Sequence, residues 1–270
     1  MSSKSSWESV DQSGKAGHYI HMMDRRNELE SVQRYVALTF EMLEVAKGGS
    51  ILDVGCGTGD DVVNLYKVVG PQGRVVGIDY SADLIVEAKA RVEKAGVSIE
   101  LYVGDAHELT QFGDNCFDAT RAAAVFHHLE SPEKALQAMI RVTKPGGSVV
   151  IAEVDWETLI VDHPNAALTR KIMHHHCDDK HRNGWIGRQL PRLFKKTRLD
   201  VYVVPAAIIL PSLDLANLIF GLEKLVKKMQ VEGIVPQKDA AEWLSVVKSL
   251  NEQGLFFASV TGFIVKGIKV

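Results

Sequence analysis

The fold is decided by one short stretch, Ile51-Leu52-Asp53-Val54-Gly55-Cys56-Gly57-Thr58-Gly59-Asp60-Asp61. It follows an apolar run and opens a helix, so it predicts a strand, a tight turn and a helix in succession. Glycines in such a turn let the chain bend sharply and let a ligand approach the backbone with no Cβ in the way. The spacing is G-x-G-x-G rather than the G-x-G-x-x-G of dinucleotide-binding turns, which argues against a nicotinamide cofactor.

The charge of this turn narrows the ligand further. Asp53, Asp60 and Asp61 concentrate negative charge around the start of the helix. These carboxylates suit the helix dipole, but they would repel the pyrophosphate that dinucleotide-binding proteins hold at such a helix start. A cofactor that carries positive charge fits better, and S-adenosylmethionine has both an ammonium and a sulfonium group.

Around this stretch, short apolar runs alternate with helical segments. The helices are predicted to begin at Asp60, Ser81 and Ser131, and the strands are SILDVG at 50–55, RVVGID at 74–79, IELYVGD at 99–105, FDATRAAAV at 117–125 and SVVIAEVD at 148–155. Strands of this length alternating with helices predict a doubly wound, mostly parallel α/β sheet with helices on both faces.

The remaining segments extend this core at both ends. We expect a flexible arm over residues 1–17, an amphipathic helix over 28–47, a helical insertion over 157–184 and a helix over 185–197. A sixth strand is predicted within 199–210, two helices within 212–253 and a final strand within 255–270. The predicted organisation is a single domain, 1–270, made of an arm or lid (1–27), a cofactor-binding core (28–155) and a helical cap with closing strands (156–270).

Four motifs in this order resemble those of class I S-adenosylmethionine-dependent methyltransferases, and the similarity covers residues 50–155. They are DVGCGTG at 53–59, GRVVGIDYS at 73–81, VGDAHEL at 103–109, and FDATRAAAVFHHL at 117–129 with the turn KPGG at 144–147. The resemblance implies a Rossmann-like sheet of seven strands, with the extra helices as a lid and cap over its carboxyl edge.

The resemblance also implies a cofactor site. In the family, the strand acid and the loop backbone hold the methionine moiety, the acid after the second strand accepts hydrogen bonds from both ribose hydroxyls, and an Asp-Ala pair binds adenine. Related methyltransferases also use an aromatic residue of an N-terminal lid over the cofactor, for which Tyr19 is the candidate. The predicted cofactor-binding residues are Tyr19, Asp53, Gly55, Cys56, Gly57, Gly59, Asp79, Tyr80, Asp105, Ala106 and Arg121.

Methyl transfer from a sulfonium is an in-line displacement at carbon, for which an enzyme must align the acceptor and exclude water. A general base is needed only if the acceptor is a hydroxyl, an amine or a weakly acidic carbon. His127 and His128 follow the fourth strand and Asp155, beside Trp156, follows the fifth, so these two histidines and Asp155 are the catalytic candidates. The alternative for His128 is burial with hydrogen bonds to the backbone.

No metal is expected. Some quinone O-methyltransferases bind a divalent metal through a Glu-His pair at this point and another Glu three residues earlier, where this chain has Ala124. A His-rich run places His174, Cys177, Asp178 and His181 on one helical face, but structural zinc sites take ligands from separate elements. A polar helix of the cap, with histidines that could face a substrate cavity, is the better prediction.

The composition and net charge limit the kinds of partner and the location that we expect for this protein. The 270 residues are 46% hydrophobic and 24% charged, as in an ordinary globular protein, and the net charge of −3 provides no field to recruit nucleic acid or anionic membrane. The apolar stretches are too short to span a bilayer, the N-terminus lacks the apolar core of a signal peptide, and three scattered cysteines indicate reduced thiols. We therefore expect a cytoplasmic protein, monomeric or homodimeric, without an integral membrane segment.

These features together resemble the small-molecule methyltransferases of quinone and natural-product biosynthesis. The resemblance implies a small aromatic or prenylated acceptor in an enclosed pocket. The alternative is a regulatory or scaffold protein that binds the cofactor without transferring methyl.

Overall fold

The protein is built around one mixed sheet. A computed structural model describes residues 10–270, without the side chains of residues 12 and 13. Within this range the strands are β1 (Ser50–Val54), β2 (Arg74–Asp79), β3 (Glu100–Val103), β4 (Phe117–Ala123), β5 (Thr143–Val161), β6 (Asp200–Leu210) and β7 (Ala258–Ile268). Their order is β3-β2-β1-β4-β5-β7-β6, with β1 to β5 parallel and β7 antiparallel to both of its neighbours. The predicted seven-stranded, mostly parallel sheet is confirmed.

Helices cover both faces of this sheet. They are α1 (Val10–Ser13), α2 (Ala16–Asn27), α3 (Glu30–Leu43), α4 (Asp60–Val69), α5 (Ala82–Ala95), α6 (Pro132–Val142), α7 (Ala166–Lys180), α8 (Ile186–Lys195), α9 (Leu213–Phe220), α10 (Leu222–Val231) and α11 (Gln237–Glu252). Among the described residues, none of these helices combines the length and the apolar character needed to cross a bilayer.

Two of the predicted helical segments end or are interrupted at positions that the sequence did not predict. The helix predicted over 28–47 is α3, which ends at Leu43 because Glu44 adopts a left-handed conformation. The two helices predicted within 212–253 are three, since Gly221, with φ of 67°, separates α9 from α10. A left-handed residue after a helix is a common way to end it, and glycine adopts that conformation with little strain.

The fifth strand is longer than predicted. Residues 157–161, assigned from sequence to a helical insertion, continue β5 and pair with β7 after an irregularity that begins at Asp155. Leu159 and Val161 are buried while Ile160 is exposed, which is the two-residue period of a strand. That alternation, together with pairing to β7, overrides the helical expectation.

The apolar core has a layer on each side of the sheet and a third cluster in the cap. Leu52 and Val54 pack in the layer that contains α6 and α8, whereas Ile51 packs with Val62 and Leu65 of α4 on the opposite face. The cap cluster joins the end of β5 to α7, α9, α10 and α11. The carboxyl edge of the parallel strands is therefore covered by packed helices.

The N-terminal segment is docked where the sequence predicts a flexible arm. Val10 is buried, and the Asp11 carboxylate accepts hydrogen bonds from the Ser81 hydroxyl and from the Ala82 N–H (2.9 Å) at the start of α5. A carboxylate at a helix N-terminus satisfies free N–H groups and suits the helix dipole. Residues 1–9 of the predicted arm lie outside the described residues.

Candidate active site

A cavity of about 680 Å³ opens over the carboxyl ends of β1, β2 and β4. The strand order reverses between β1 and β4, which is where open α/β sheets bind ligands. Its walls come from the glycine turn after β1, from α2 and α3, from the loop after β4, and from parts of the cap.

The glycine turn has the geometry of a ligand cradle. Gly55 and Gly57 line the cavity with φ of 73° and 54°, a left-handed conformation that favours glycine. A Cβ on Gly55 would stand 2.3 Å from the Val125 side chain. Gly59, also predicted to bind cofactor, does not line the cavity: a Cβ there would lie 2.9 Å from the Ala88 Cβ, so this glycine lets α5 approach the turn.

Asp79 joins β2 to this turn. Its Oδ2 accepts the Gly57 N–H and its Oδ1 accepts the Ser81 N–H, both at 2.9 Å. Burial raises the pKa of this carboxyl group, and the backbone N–H bonds oppose the rise. A carboxylate has about four lone-pair sites, so Asp79 keeps capacity for two ligand hydroxyls. Tyr80 lies beside it on the cavity wall, 63% exposed.

A buried ion-pair network stands behind the turn. Arg121 is 1% exposed and donates to Asp53 Oδ1, Asp61 Oδ2 and Thr39 Oγ1, each at 2.7 Å. Burial raises the pKa of Asp53 to about 6, and the Arg121 guanidinium opposes that rise. Both Asp53 and Arg121 line the cavity, so each lies where a cofactor can contact it, and each also holds the other in place.

The adenine position predicted from sequence also lies on the cavity. Asp105, Ala106 and His107 line it after β3. Asp105 Oδ1 accepts the His107 N–H at 2.8 Å and lies 2.6 Å from His107 Nδ1. The Asp105 side chain remains partly exposed and able to accept a further hydrogen bond.

Cys56 is buried within the turn and also lines the cavity. Burial raises the pKa of its thiol well above the usual value, and the nearby carboxylates of Asp79 and Asp53 add to the effect. Since the thiolate is the reactive form of cysteine, this side chain fills space in the loop and does not act as a nucleophile.

At the other end of the cavity, His127 is held by a buried acid. His127 Nδ1 lies 2.7 Å from Glu153 Oε2, and Glu153 Oε1 accepts the backbone N–H groups of Val125 and Phe126. A carboxylate at Nδ1 fixes the tautomer and leaves Nε2 as the nitrogen that can accept a proton. Burial lowers the pKa of the adjacent His128 well below its usual value, and His127 and His181 lower it further.

Asp155, a predicted catalytic residue, does not face the cavity. Val154 and Trp156 line it, and because strand side chains alternate, Asp155 points to the opposite face. There its carboxylate is fully buried and binds the Arg188 guanidinium through both oxygens. The prediction that Asp155 is catalytic is therefore wrong, and its role is to anchor α8 to β5.

The N-terminal segment predicted to act as a lid contains α2, and the structure places Tyr19 of this helix away from the cavity. Tyr19 does not line the cavity; it packs beside Val10 and Leu84 in a small cluster between α1, α2 and α5. The cavity is instead lined by residues one to two turns further along α2, namely Met22, Met23 and Arg26. The Met23 sulfur would lie 3.3 Å from a Cβ on Gly57, so α2 rests directly on the glycine turn.

The His-rich run contributes one side chain to the cavity wall, His181, which ends α7. His176 and Cys177 are buried behind it. In the part of the chain that the structure describes, no group of three or more histidine, cysteine or acidic side chains could hold a metal ion.

These features fit S-adenosylmethionine. Asp79 offers two hydroxyl-binding positions, the glycine turn lets a ligand contact backbone, and the carboxylates at this end outnumber the guanidinium groups of Arg26 and Arg121. The cofactor supplies an electrophilic methyl group on sulfur, and a water-poor cavity strengthens electrostatic interactions with such a charge.

Comparison with known proteins decides the family. A profile described as "Methyltransferase domain" matches residues 46–204. The chain belongs to this methyltransferase family. Its sheet and its cofactor, S-adenosylmethionine, are those of the S-adenosylmethionine-dependent methyltransferases, so this part of the sequence interpretation is confirmed.

Individual relatives of this methyltransferase differ in how much they share. An uncharacterised 37.1 kDa protein in transposon TN4556 of Streptomyces fradiae is 33% identical over 247 residues, covering 91% of this chain and 70% of that protein. The demethylmenaquinone methyltransferase of Bacillus cereus is 37% identical over 141 residues, and the match covers 51% of this chain and 59% of that protein. The YcgJ structure from Bacillus subtilis shares the fold, with a TM-score of 0.64 at 17% identity over 88% of this chain and 98% of that one.

Two residues that shape the cavity of this methyltransferase, Glu153 behind His127 and Arg26 on the wall, were not predicted from the sequence. Glu153 interrupts the apolar run SVVIAEV at 148–154, and a charge inside a central strand is a signal for a buried functional pair. Arg26 was hidden because its segment was assigned to an arm, although Ile20, Met23 and Asn27 already have helical spacing.

Proposed function

We propose that this methyltransferase transfers methyl from S-adenosylmethionine to a small apolar acceptor, aromatic or prenylated, inside an enclosed cavity. One observation carries the proposal: a single cavity runs from the acid-lined glycine turn to a wall made by Ile208, Leu210, Ile219 and Val260. Its volume falls in the range of small-molecule sites, which combine apolar walls with a few placed polar groups.

His127 is the group best placed to accept a proton from the acceptor. If the acceptor atom is a hydroxyl oxygen, His127 Nε2 takes its proton, and the charge of Glu153 stabilises the imidazolium that forms. The acceptor oxygen forms the new bond to the methyl carbon while the carbon–sulfur bond breaks and its electron pair stays on sulfur. His128 is a poorer base, since burial favours its neutral form.

The enclosure favours a small acceptor over a polymer. Helices α2, α3 and α9 all contribute walls to the cavity, which suits a compound small enough to be surrounded. The net charge of −3 also provides no general attraction for nucleic acid. A regulatory protein that only binds the cofactor would need no second, apolar compartment beside His127, so transfer is the better supported function.

The cofactor half of the proposal is tested by Asp79→Ala. Hydrogen bonds to a charged group contribute about 1.5–3 kcal/mol each, so the affinity for S-adenosylhomocysteine should fall about thirtyfold or more. Isothermal titration measures it, with Asp83→Ala, an exposed acid in the first turn of α5, as the matched control. Unchanged affinity would contradict the ribose role of Asp79.

The acceptor half is tested by turnover. Formation of S-adenosylhomocysteine is measured with naphthols, prenylated phenols, a peptide mixture and an oligonucleotide mixture. We expect product with the small apolar compounds and a large loss in His127→Gln for acceptors with a neutral hydroxyl. Product with the polymers alone, or cofactor binding without any product, would overturn the proposal.

A further inference from the structure

Four buried polar atoms lie close together without a hydrogen-bond partner. Within residues 10–270, Trp156 Nε1, His176 Nδ1 and both ring nitrogens of His181 are shielded from solvent and unpaired. Buried polar groups in native proteins are nearly always paired, because an unmade hydrogen bond costs free energy. Four such atoms at one place indicate that another molecule completes their bonding.

These atoms belong to one cluster of rings. The Trp156 indole stacks on the His181 imidazole with centroids 4.1 Å apart and planes at 4°. The His176 ring lies 5.4 Å from Trp156 and 5.0 Å from His181, and Phe220 packs edge-on against both Trp156 and His176. The cluster thus joins β5, the C-terminal end of α7, and α9.

The cluster faces the acceptor end of the cavity. Trp156, His181 and Phe220 line it, and His176 stands directly behind them. The His127 ring, which would take the acceptor's proton, is 5.6 Å from the His181 ring and 6.0 Å from the Trp156 ring. An acceptor positioned at His127 would therefore lie next to the rings that carry the unpaired atoms.

The side chains of the cluster carry no charge at neutral pH. Burial lowers the pKa of His176 to about 4 and lowers that of His181 further, so both imidazoles are uncharged at neutral pH. A neutral imidazole offers one N–H and one acceptor nitrogen, and the indole offers an N–H alone. Such a set hydrogen-bonds a hydroxyl or carbonyl oxygen and itself supplies no cation for a carboxylate or phosphate. Arg182, which also lines the cavity, is already engaged in an interaction within the protein.

We propose that Trp156 and His181, supported by His176, form a subsite that recognises a neutral ring oxygen of the methyl acceptor. The indole N–H and an imidazole N–H donate to that oxygen while the apolar wall holds the ring. The acceptor class is then a neutral hydroxy- or oxo-arene, and an acidic aromatic compound is disfavoured. This inference rests on the proposed function, since it assumes that the cavity beside His127 holds the acceptor.

The test compares three probes on the full chain saturated with S-adenosylhomocysteine: 1-naphthol, naphthalene and 1-naphthoate. Since one satisfied hydrogen bond is worth about a factor of ten in affinity, 1-naphthol should bind about tenfold more tightly than naphthalene, and 1-naphthoate more weakly than 1-naphthol. Trp156→Phe and His181→Phe keep the rings but remove the nitrogens, so each should abolish the preference for 1-naphthol while naphthalene binding stays unchanged.

The matched control is Trp243→Phe. Trp243 is also fully buried and stacked on a histidine, His163, but its Nε1 donates to Thr169 Oγ1 at 2.9 Å and it does not line the cavity. This variant should retain the preference for 1-naphthol.

Several results would overturn the subsite. These are equal binding of naphthalene and 1-naphthol, tighter binding of 1-naphthoate, a preference that survives either cavity variant, or no binding of any ring compound while S-adenosylhomocysteine binds. Failure of S-adenosylhomocysteine itself to bind would instead contradict the proposed function, so the two failures are distinguishable.

Discussion

The two ends of the cavity differ in whether their polar groups are paired within the protein. At the glycine turn, the Arg121 guanidinium is paired with Asp53 and Asp61, so the charged groups satisfy one another within the protein. At the acceptor end, Trp156 and His181 are neutral and leave polar atoms unpaired among the described residues. The glycine-turn end, called the paired end below, is held in place by the chain's own ion pairs. The acceptor end, called the neutral end, completes its hydrogen bonds on ligand binding under the proposed subsite.

The largest effect should come from breaking the paired end. Arg121→Leu leaves two carboxylates without their common partner, and removing one member of a buried pair costs about 3–5 kcal/mol. Urea unfolding should show that loss in the free energy of unfolding. Arg74→Leu breaks the half-exposed pair with Glu100 and should cost less than about 1 kcal/mol. Equal losses in the two variants would show that the Arg121 network adds nothing beyond a surface ion pair.

The contribution of the neutral end to the free energy of unfolding should fall as the pH is lowered. The unfolded state binds a proton at His176 near its ordinary pKa of 6.5, whereas burial lowers the native pKa to about 4. Between these values the unfolded state binds more protons, so stability is lost as the pH falls. Relative to His176→Phe, the wild-type free energy of unfolding should drop by about 3 kcal/mol between pH 7 and pH 4. A constant difference would show that His176 is not held neutral by burial.

The contribution of the paired end to the free energy of unfolding should depend on pH in the opposite direction. Burial raises the native pKa of Asp53 from 3.8 to about 6, so the native state binds more protons between these values. Stability contributed by Asp53 therefore rises as the pH falls through 6 and is lost again as the pH rises. Relative to Asp53→Asn, the wild type should gain about 2–3 kcal/mol between pH 7 and pH 4. Asp214→Asn, at an exposed acid in α9, is the control, and a wild-type loss instead of a gain would contradict the assignment.

The smallest effect should come from the contact of α2 with the paired end. Arg91 binds Asp24 of α2 and Asp60 of α4, both at 2.8 Å, with the Asp24 side chain 41% exposed. Since exposed ion pairs contribute about 0.2–1 kcal/mol, Asp24→Ala should weaken S-adenosylhomocysteine binding about two- to fivefold. Glu30→Ala removes a more exposed ion pair, with Arg34 on α3, and should leave the affinity unchanged. An equal loss in both variants would argue against a specific role for α2.

The paired end could be predicted from sequence to a large extent, because local rules decide it. Asp53, Gly57 and Asp79 stand at strand ends within motifs of fixed spacing, and the parallel sheet brings those ends to one edge. Gly59 is the exception, since its packing against Ala88 depends on how α5 approaches the turn.

The neutral end resisted prediction because it is assembled from distant segments. Whether Asp155 or Trp156 faces the cavity is settled by the phase of β5, and a single residue of phase reverses the answer. The contact of Trp156 with His181 and Phe220 depends on how the cap folds back over the sheet, which no local pattern encodes. The His-rich sequence predicted histidines near a cavity, but it did not identify His181 as the member of the run that lines it.

The position of β7 has a consequence for how the chain acquires its structure. β7 separates β5 from β6 and pairs with each along most of its length, although it is the last strand in sequence. Until residues 258–268 leave the ribosome, one edge of β5 is unpaired and β6 has no strand to pair with. The cap helices then lack the part of the sheet on which they pack. The first four strands can pair early through local crossovers, but the acceptor compartment must wait for long-range contacts that close slowly. An incomplete chain would therefore already contain the glycine turn while exposing unpaired strands that invite aggregation.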